Sequence, residues 1–460
     1  MRKTPAFVLT SLLSVALLAV LLLSHMRWAP LLTSFALLHA FLFLHLALKV
    51  TASVAAKPHT VAAGADLDSL SVDVVVPIYN EDPALLAAGI RGLAAQTRKP
   101  RAVWLVDDGS QRNGEPVTIL TEPAVRDAIA EAEAAGIRIE AHRQVNRGKR
   151  WAQSAAFAKS DADIFVTIDS DTYLDPRAVE KLLVPFSRET VASVAGLACG
   201  QNYRKSLLTR AIDISFTMSF IQGRMAEGYF GQVRVNCGII AAYRGHVVRD
   251  NLHRYLNQRF LGLPVKAGDD RALTFFAKEH GRTEFQPEAI AYSALPEKFS
   301  HLVRQRMRWA RSWVWGSFWL LRRPVYSADF YFTFTQLLGI LAFGVVLALG
   351  ISGSLLGAIS PMMLVNLGLT ATAIGAVVHL RYLVTVHTGD PFWQRLLTWL
   401  CSPIGTLLYV GLFLPLYWVA MARPRPQQTW GTRKQVEVGL HAPALTQHTP
   451  ALVGAGQEAA

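Results

Sequence analysis

The stretch VDVVVPIYNED, residues 72–82, joins a β-branched apolar run to an abruptly polar end. The run is short for a core helix and too continuously apolar for a strand with one wet face, so it predicts a strand covered on both sides. Downstream of it the alternation of apolar runs and helical stretches repeats. DPALLAAGIRGLAAQ (82–96) reads as a helix, AVWLVDDG (102–109) as a strand, residues 123–135 as a helix and RIEAHRQ (138–144) as a strand; KRWAQSAAFAKS (149–160) and DIFVTIDSD (163–171) give one more of each. This pattern predicts an α/β domain with a mostly parallel, Rossmann-like sheet. Ligands of such sheets bind beyond the carboxyl ends of the strands. The polar clusters fall there: YNED after the first strand, DDGS after the second and DSDT after the fourth.

Composition adds a second part. Of 460 residues 52% are hydrophobic and only 17% charged, too apolar for an ordinary soluble enzyme of this length. Apolar windows close to the ~20 residues that cross a bilayer occupy 6–24, 31–48, 334–351, 355–378 and 404–421, while 49–324 contains none. The first two windows predict a retained hairpin rather than a cleaved leader. Arg2, Lys3, Lys49 and Lys57 flank it on the side that the positive-inside rule assigns to the cytoplasm. The expected organisation is therefore a transmembrane hairpin (1–50), a linker (51–70), a cytoplasmic domain (71–298), an amphipathic interface helix (299–325), a second transmembrane region (326–422), a basic segment (423–436) and a disordered tail (437–460). The chain is expected in the cell membrane, crossing it several times.

Cys199, Cys237 and Cys401 have neither CxxC spacing nor an even count, which argues against a zinc site and a disulfide framework. A net charge of +13 without a recognisable nucleic-acid module points to membrane lipid or an anionic substrate, not to nucleic acid.

Five motifs carry possible chemistry. IDSDT (168–172) sets Asp169 and Asp171 two apart at a strand end, where oxygen ligands suit Mg²⁺ or Mn²⁺ bridged to phosphates. VDDGS (106–110) is either a second acidic site or a plain strand-to-turn transition. NRGKR (146–150) places Lys149 and Arg150 at a helix start after Gly148, suited to a phosphate or to an ordinary surface helix, and it is not a P-loop. AGDDRALT (267–274) puts Asp269 and Asp270 in a first helical turn, where the dipole favours them and where one could serve as a general base. HLVRQRMRWARSW (301–313) belongs to a helix over 300–321 that aligns Arg304, Arg308, Arg311 and Trp315, with Gln305 and Trp309 beside them, as on a membrane surface.

Taken in order, PIYNED, VDDGS, NRGKR, IDSDT, GDDRALT and QRMRW resemble the processive family-2 glycosyltransferases, and within them the group containing hyaluronan synthases and nodulation chitooligosaccharide synthases. WGTRK (430–434) is similar to the segment that ends streptococcal-type hyaluronan synthases. Two phrases depart from the pattern: CGIIAAYR lacks a proline after its glycine, and Ala272 stands where a histidine is common.

The resemblance implies a GT-A type fold and an inverting transfer from UDP-sugars. Tyr79, Glu81, Asp107, Asp108, Lys149 and Asp169 would contact the donor nucleotide, and Asp169 and Asp171 would hold Mg²⁺ or Mn²⁺. Asp270 would be the base. Cys237, Gly238, Asp269, Gln305, Arg308 and Trp309 would border the acceptor, and Trp430, Thr432 and Arg433 would form a gate. The implied product is a β-linked polysaccharide, hyaluronan from UDP-GlcNAc and UDP-GlcA, which the spans would export. Alternatives are a chitooligosaccharide synthase and a non-catalytic membrane component that binds or transports polysaccharide. For WGTRK to reach a cytoplasmic nucleotide the crossings must be even in number, which calls either for a further span or for one interfacial or re-entrant C-terminal segment, with 392–402 the best candidate.

Overall fold

The computed structural model describes residues 5–28, 36–358, 360–387 and 389–426. Trp430, Thr432, Arg433 and the tail at 437–460 lie outside them.

The apolar runs form a sheet. Its strands are β1 (Val72–Ile78), β2 (Ala102–Asp107), β3 (Arg138–Arg143), β4 (Ile164–Thr167), β5 (Thr172–Leu174), β6 (Val191–Gly200), β7 (Ala241–Arg244) and β8 (Arg282–Ser293), in the spatial order β3-β2-β1-β4-β7-β6-β8-β5. The first four strands in that order pair in parallel, as do β6 and β8. The departures from the expected parallel sheet are β7, antiparallel to both its neighbours, and the antiparallel edge strand β5. Every residue of β1, β2, β4 and β6 is buried, as continuous apolar strands require when helices cover both faces. The one carboxylate inside β1 is satisfied: Asp73 accepts from Arg101 Nε (2.9 Å), Trp104 Nε1 (3.0 Å) and Ser160 Oγ (2.5 Å).

Among the helices, α1 (Pro5–Trp28) and α2 (Ala36–Ala55) precede the sheet. Helix α3 (Pro83–Ala94) starts from the cap of Asp82, whose carboxylate accepts from Ala84 N (2.9 Å) and Leu85 N (3.1 Å). Helices α4 (Pro123–Ala134), α5 (Lys149–Phe157) and α6 (Leu207–Met218) follow, then α7 (Asp269–His280), which begins at the acidic pair, and α8 (Phe299–Leu320). Several short helices aside, the C-terminal part holds α9 (Ala328–Leu355), α10 (Met362–Val378), α11 (Phe392–Leu400), α12 (Ser402–Leu408) and α13 (Leu414–Ala422).

Among the described residues three helical stretches are long and apolar enough to cross a membrane: Ala328–Leu355, Met362–Thr385 and Phe392–Ala422. Residues 392–402 are thus continuous with the last stretch through a turn at Cys401, with a π-helical turn at Tyr409–Phe413 further on. The globular core reaches this region, since Asp213 of α6 accepts from Tyr382 Oη at 2.7 Å and lies 3.2 Å from His387 Nε2.

Candidate active site

The acidic clusters meet because their strands are neighbours. β2, β1 and β4 lie side by side and end at Asp107, Ile78 and Thr167, so DDGS, YNED and DSDT emerge along one edge. Side chains then lock the three loops together. Asn80 N donates to Ser110 Oγ (3.0 Å), Gln111 N donates to Asn80 Oδ1 (2.7 Å), and Ser170 Oγ donates to Glu81 Oε2 (2.6 Å). A small cavity at this edge is lined by Asn80, Glu81, Ser110, Gln111, Arg112 and Val117, and half-buried Tyr79 is the first residue after β1.

Asp107 and Asp108 point to different tasks. Asp107 accepts from Ser110 N (2.9 Å) and pairs with Arg143 Nε (3.3 Å), which shapes its own turn. Asp108 accepts from Gln144 Nε2 (2.6 Å), Arg147 N (3.0 Å) and Gly148 N (2.8 Å), so it fixes the loop that starts α5. Burial raises its pKa; the hydrogen bonds oppose that rise, and the charge of Asp107 adds to it.

That loop delivers Lys149, on which the site closes. Its ammonium lies 2.6 Å from Asp169 Oδ1 and 2.8 Å from Asp269 Oδ2, joining the DSD turn to the start of α7. Burial alone would lower the lysine pKa, but the two carboxylates outweigh it and hold the group well above its ordinary value. Asp269 shows the reciprocal effect, with burial opposed and overcome by the charge of Lys149. The pKa of Asp270 moves the other way: burial raises it, and the ionised neighbour Asp269 raises it further. Two adjacent carboxyls are thereby pushed apart, the pattern that separates a fixed anion from a proton acceptor.

Gly238 sits over this centre: a Cβ there would fall 3.1 Å from Lys149 Nζ and 3.5 Å from Asp169 Oδ1. Burial pushes the thiol of the preceding Cys237 up to about 12; Arg224 opposes this, and the charges of Asp270 and Asp169 add to it. Asp171 accepts from Ser293 Oγ (3.1 Å) at the end of β8. Helix α7 is pressed against α8 at its first turn. Gly268 has φ +82°, open to glycine at little cost, and a Cβ would meet Trp315 at 2.9 Å and Ser312 at 3.0 Å. One turn earlier on α8, Trp309 stacks on Phe216 with ring centroids 5.9 Å apart. Gln305 and Arg308 are partly buried on the same helix.

Two features were beyond sequence reasoning. The sequence left Arg150 open to a phosphate, but its guanidinium donates to Tyr255 O (2.8 Å), Gln258 Oε1 (2.9 Å) and Gly268 O (3.2 Å) and so braces the loop before α7. The Lys149–Asp269 contact spans 120 positions of sequence, and no local pattern announces it. Among the described residues no three His, Cys, Asp or Glu side chains gather to hold a metal by themselves. Asp169 and Asp171 nonetheless offer hard oxygen donors of the kind that bind Mg²⁺ or Mn²⁺ jointly with substrate phosphates.

Residues 73–252 match the Glycosyl transferase family 2 model. A hyaluronan synthase of Streptococcus pyogenes is 33% identical over 372 residues, 80% of this chain and 84% of the relative. An N-acetylglucosaminyltransferase of Azorhizobium caulinodans is 34% identical over 280 residues, 59% of this chain and 68% of the relative. Among solved structures, a Pyrobaculum calidifontis mannosyltransferase in complex with GDP-Man and Mn²⁺ has a TM-score of 0.51 at 16% identity, covers 86% of this chain and 99% of its own, and supports the GT-A-like fold. A relative of this identity, matched over most of both chains, settles the kinship: the chain belongs to glycosyl transferase family 2 and is a glycosyltransferase.

Proposed function

We propose that this glycosyltransferase is a membrane-embedded, processive synthase that builds hyaluronan from UDP-GlcNAc and UDP-GlcA and passes the polymer through its own helices. The observation that carries the transfer site is the Lys149 bridge between Asp169 and Asp269, which gathers the DSD, GKR and GDD phrases around one centre. The Streptococcus relative supports the choice of product.

In this reading Tyr79, Glu81, Asp107 and Asp108 form or support the nucleotide cleft, and Lys149 turns toward the diphosphate when it arrives. Asp169 and Asp171 would hold Mg²⁺ or Mn²⁺ there. Such an ion, when bound, neutralises charge on the leaving diphosphate. Asp270, its pKa raised, takes the proton of the acceptor hydroxyl. The freed oxygen displaces UDP from the α-linked donor and leaves a β-linkage. Asp269, fixed as an anion by Lys149, Cys237, Gly238, Gln305, Arg308 and Trp309 border the acceptor. The catalytic domain faces the cytoplasm, and Trp430, Thr432 and Arg433, outside the described residues, close over the nucleotide.

The second reading, a chitooligosaccharide synthase, is favoured by the Azorhizobium relative. Purified membranes given UDP-GlcNAc alone, or with UDP-GlcA, separate the two. Hyaluronidase-sensitive polymer that requires both donors and vanishes in excess chelator supports the proposal. Chitinase-sensitive product from UDP-GlcNAc alone supports the second reading.

A further inference from the structure

Along one face of α8 runs a row of polar groups that the transfer site does not use. Arg306, Trp313 and Ser317 are seven and eleven residues apart, close to whole numbers of helical turns, and so form one stripe about 16 Å long. Arg306 Nε and Nη2, Trp313 Nε1 and Ser317 Oγ are all buried without a hydrogen-bond partner among the described residues. Arg271 Nε, one residue past the acidic pair, is in the same condition, and its side chain lies where a Cβ on Gly316 would stand. The stripe faces the last span: Trp313 meets Tyr417 edge-on with ring centroids 4.9 Å apart. The Arg306 guanidinium lies 4.6 Å from the Trp309 ring and 4.2 Å from the Phe413 ring.

Charge sharpens the picture. Burial lowers the pKa of Arg306 and Arg271 to about 10 each, a sign that these cations are poorly compensated. Arg234 nearby is paired with Glu227 at 2.7 Å, whereas Arg224, Arg271 and Arg306 form no ion pair among the described residues. Aromatic rings hold Arg306, and its Nε and Nη2 donors remain unused, as a carboxylate fork would require. A neutral sugar could accept these hydrogen bonds but could not compensate the charge.

We propose that Arg306, with Arg271 and the indole N–H of Trp313, is a subsite for the carboxylates of a uronate-bearing polymer as it leaves the transfer site toward the last span. The inference rests on the hyaluronan reading and deepens it. A lipid phosphate shares the anionic chemistry, but the row starts beside Asp270, where polymer is made.

The test uses the detergent-purified full chain, a hyaluronan hexasaccharide and a neutral chitohexaose. The wild type should bind the charged probe on the order of tenfold more tightly. Arg306→Gln should cut that preference to about twofold while UDP affinity is unchanged, and Arg306→Lys, which keeps the charge but loses the fork, should fall between the two. If Arg306→Gln does not fold, Trp313→Phe, which keeps the ring and removes the donor, should weaken the charged probe about threefold. Equal binding of both probes by the wild type, or an undiminished preference in Arg306→Gln or in Trp313→Phe, overturns the subsite. Displacement of the charged probe by phosphatidylglycerol assigns the donors to lipid and overturns it too. Failure of the underlying reading appears separately, as a wild-type preparation that makes polymer from UDP-GlcNAc alone.

Discussion

Lys149, Asp269 and Asp270 show how little separates a structural charge from a reactive one. Asp269 has an ammonium 2.8 Å away and stays ionised, while the next residue is buried beside that anion and has its pKa raised. A base must be deprotonated to act, so a raised pKa means that activity falls on acidification sooner than for an ordinary aspartate. Replacing Asp269 with Asn removes the like charge and should lower the Asp270 pKa. The acid limb of the kcat/KM profile should then shift to lower pH, although overall activity falls because Lys149 loses a partner. An acid limb that stays in place in Asp269→Asn would mean that another group titrates. The residues alone made the acidic pair visible as a helix start, and only the family resemblance singled out Asp270. That distinction depends on Lys149, brought in from another loop.

Among the elements, the contact between α7 and α8 sets where Asp270, the proposed base, stands relative to Gln305, Arg308 and Trp309. Gly268→Ala tests it, because a side chain at φ +82° is strained and would also press on Trp315 and Ser312. The variant should lose at least about 1 kcal/mol of stability in denaturant titration, and polymer synthesis should fall more than UDP affinity does. Wild-type stability and yield would show that the contact is slack. The strands around this site were legible in sequence because VDVVV, AVWLV and IFVT are apolar, short and followed by turn residues. The strands β5 to β8 were not read from the sequence, and two of them the sheet acquires out of order. β7 comes from residues 241–244 yet inserts between β4 and β6, and β5 has only three residues. Their places follow from long-range pairing, which local periodicity does not encode. The helix carrying Gln305 and Trp309 was legible from its charge and aromatic stripe, whereas the unpaired donors on its other face emerge only once the last span is packed against it.

In the whole molecule, α8 and the contacts of Asp213 with Tyr382 and His387 couple the globular domain to the apolar helices. The segment beyond Pro426 carries the proposed gate. If Trp430 closes over the nucleotide and excludes water, Trp430→Ala should cut polymer yield per mole of purified enzyme strongly while insertion in the membrane is unchanged. Removal of residues 437–460 should leave the yield intact. Near-normal yield from Trp430→Ala would mean that this segment only touches lipid, and the even number of crossings it calls for would lose its basis.

If the gathered acidic clusters make one inverting transfer site with Asp270 as its base, two readings on purified Asp270→Asn must separate: UDP-sugar affinity by titration, and turnover by UDP release. Affinity should stay within about twofold of wild type, and turnover should fall by at least the ~10² that a general base supplies. Near-normal turnover in Asp270→Asn, with Asp269→Asn inactive instead, would contradict it.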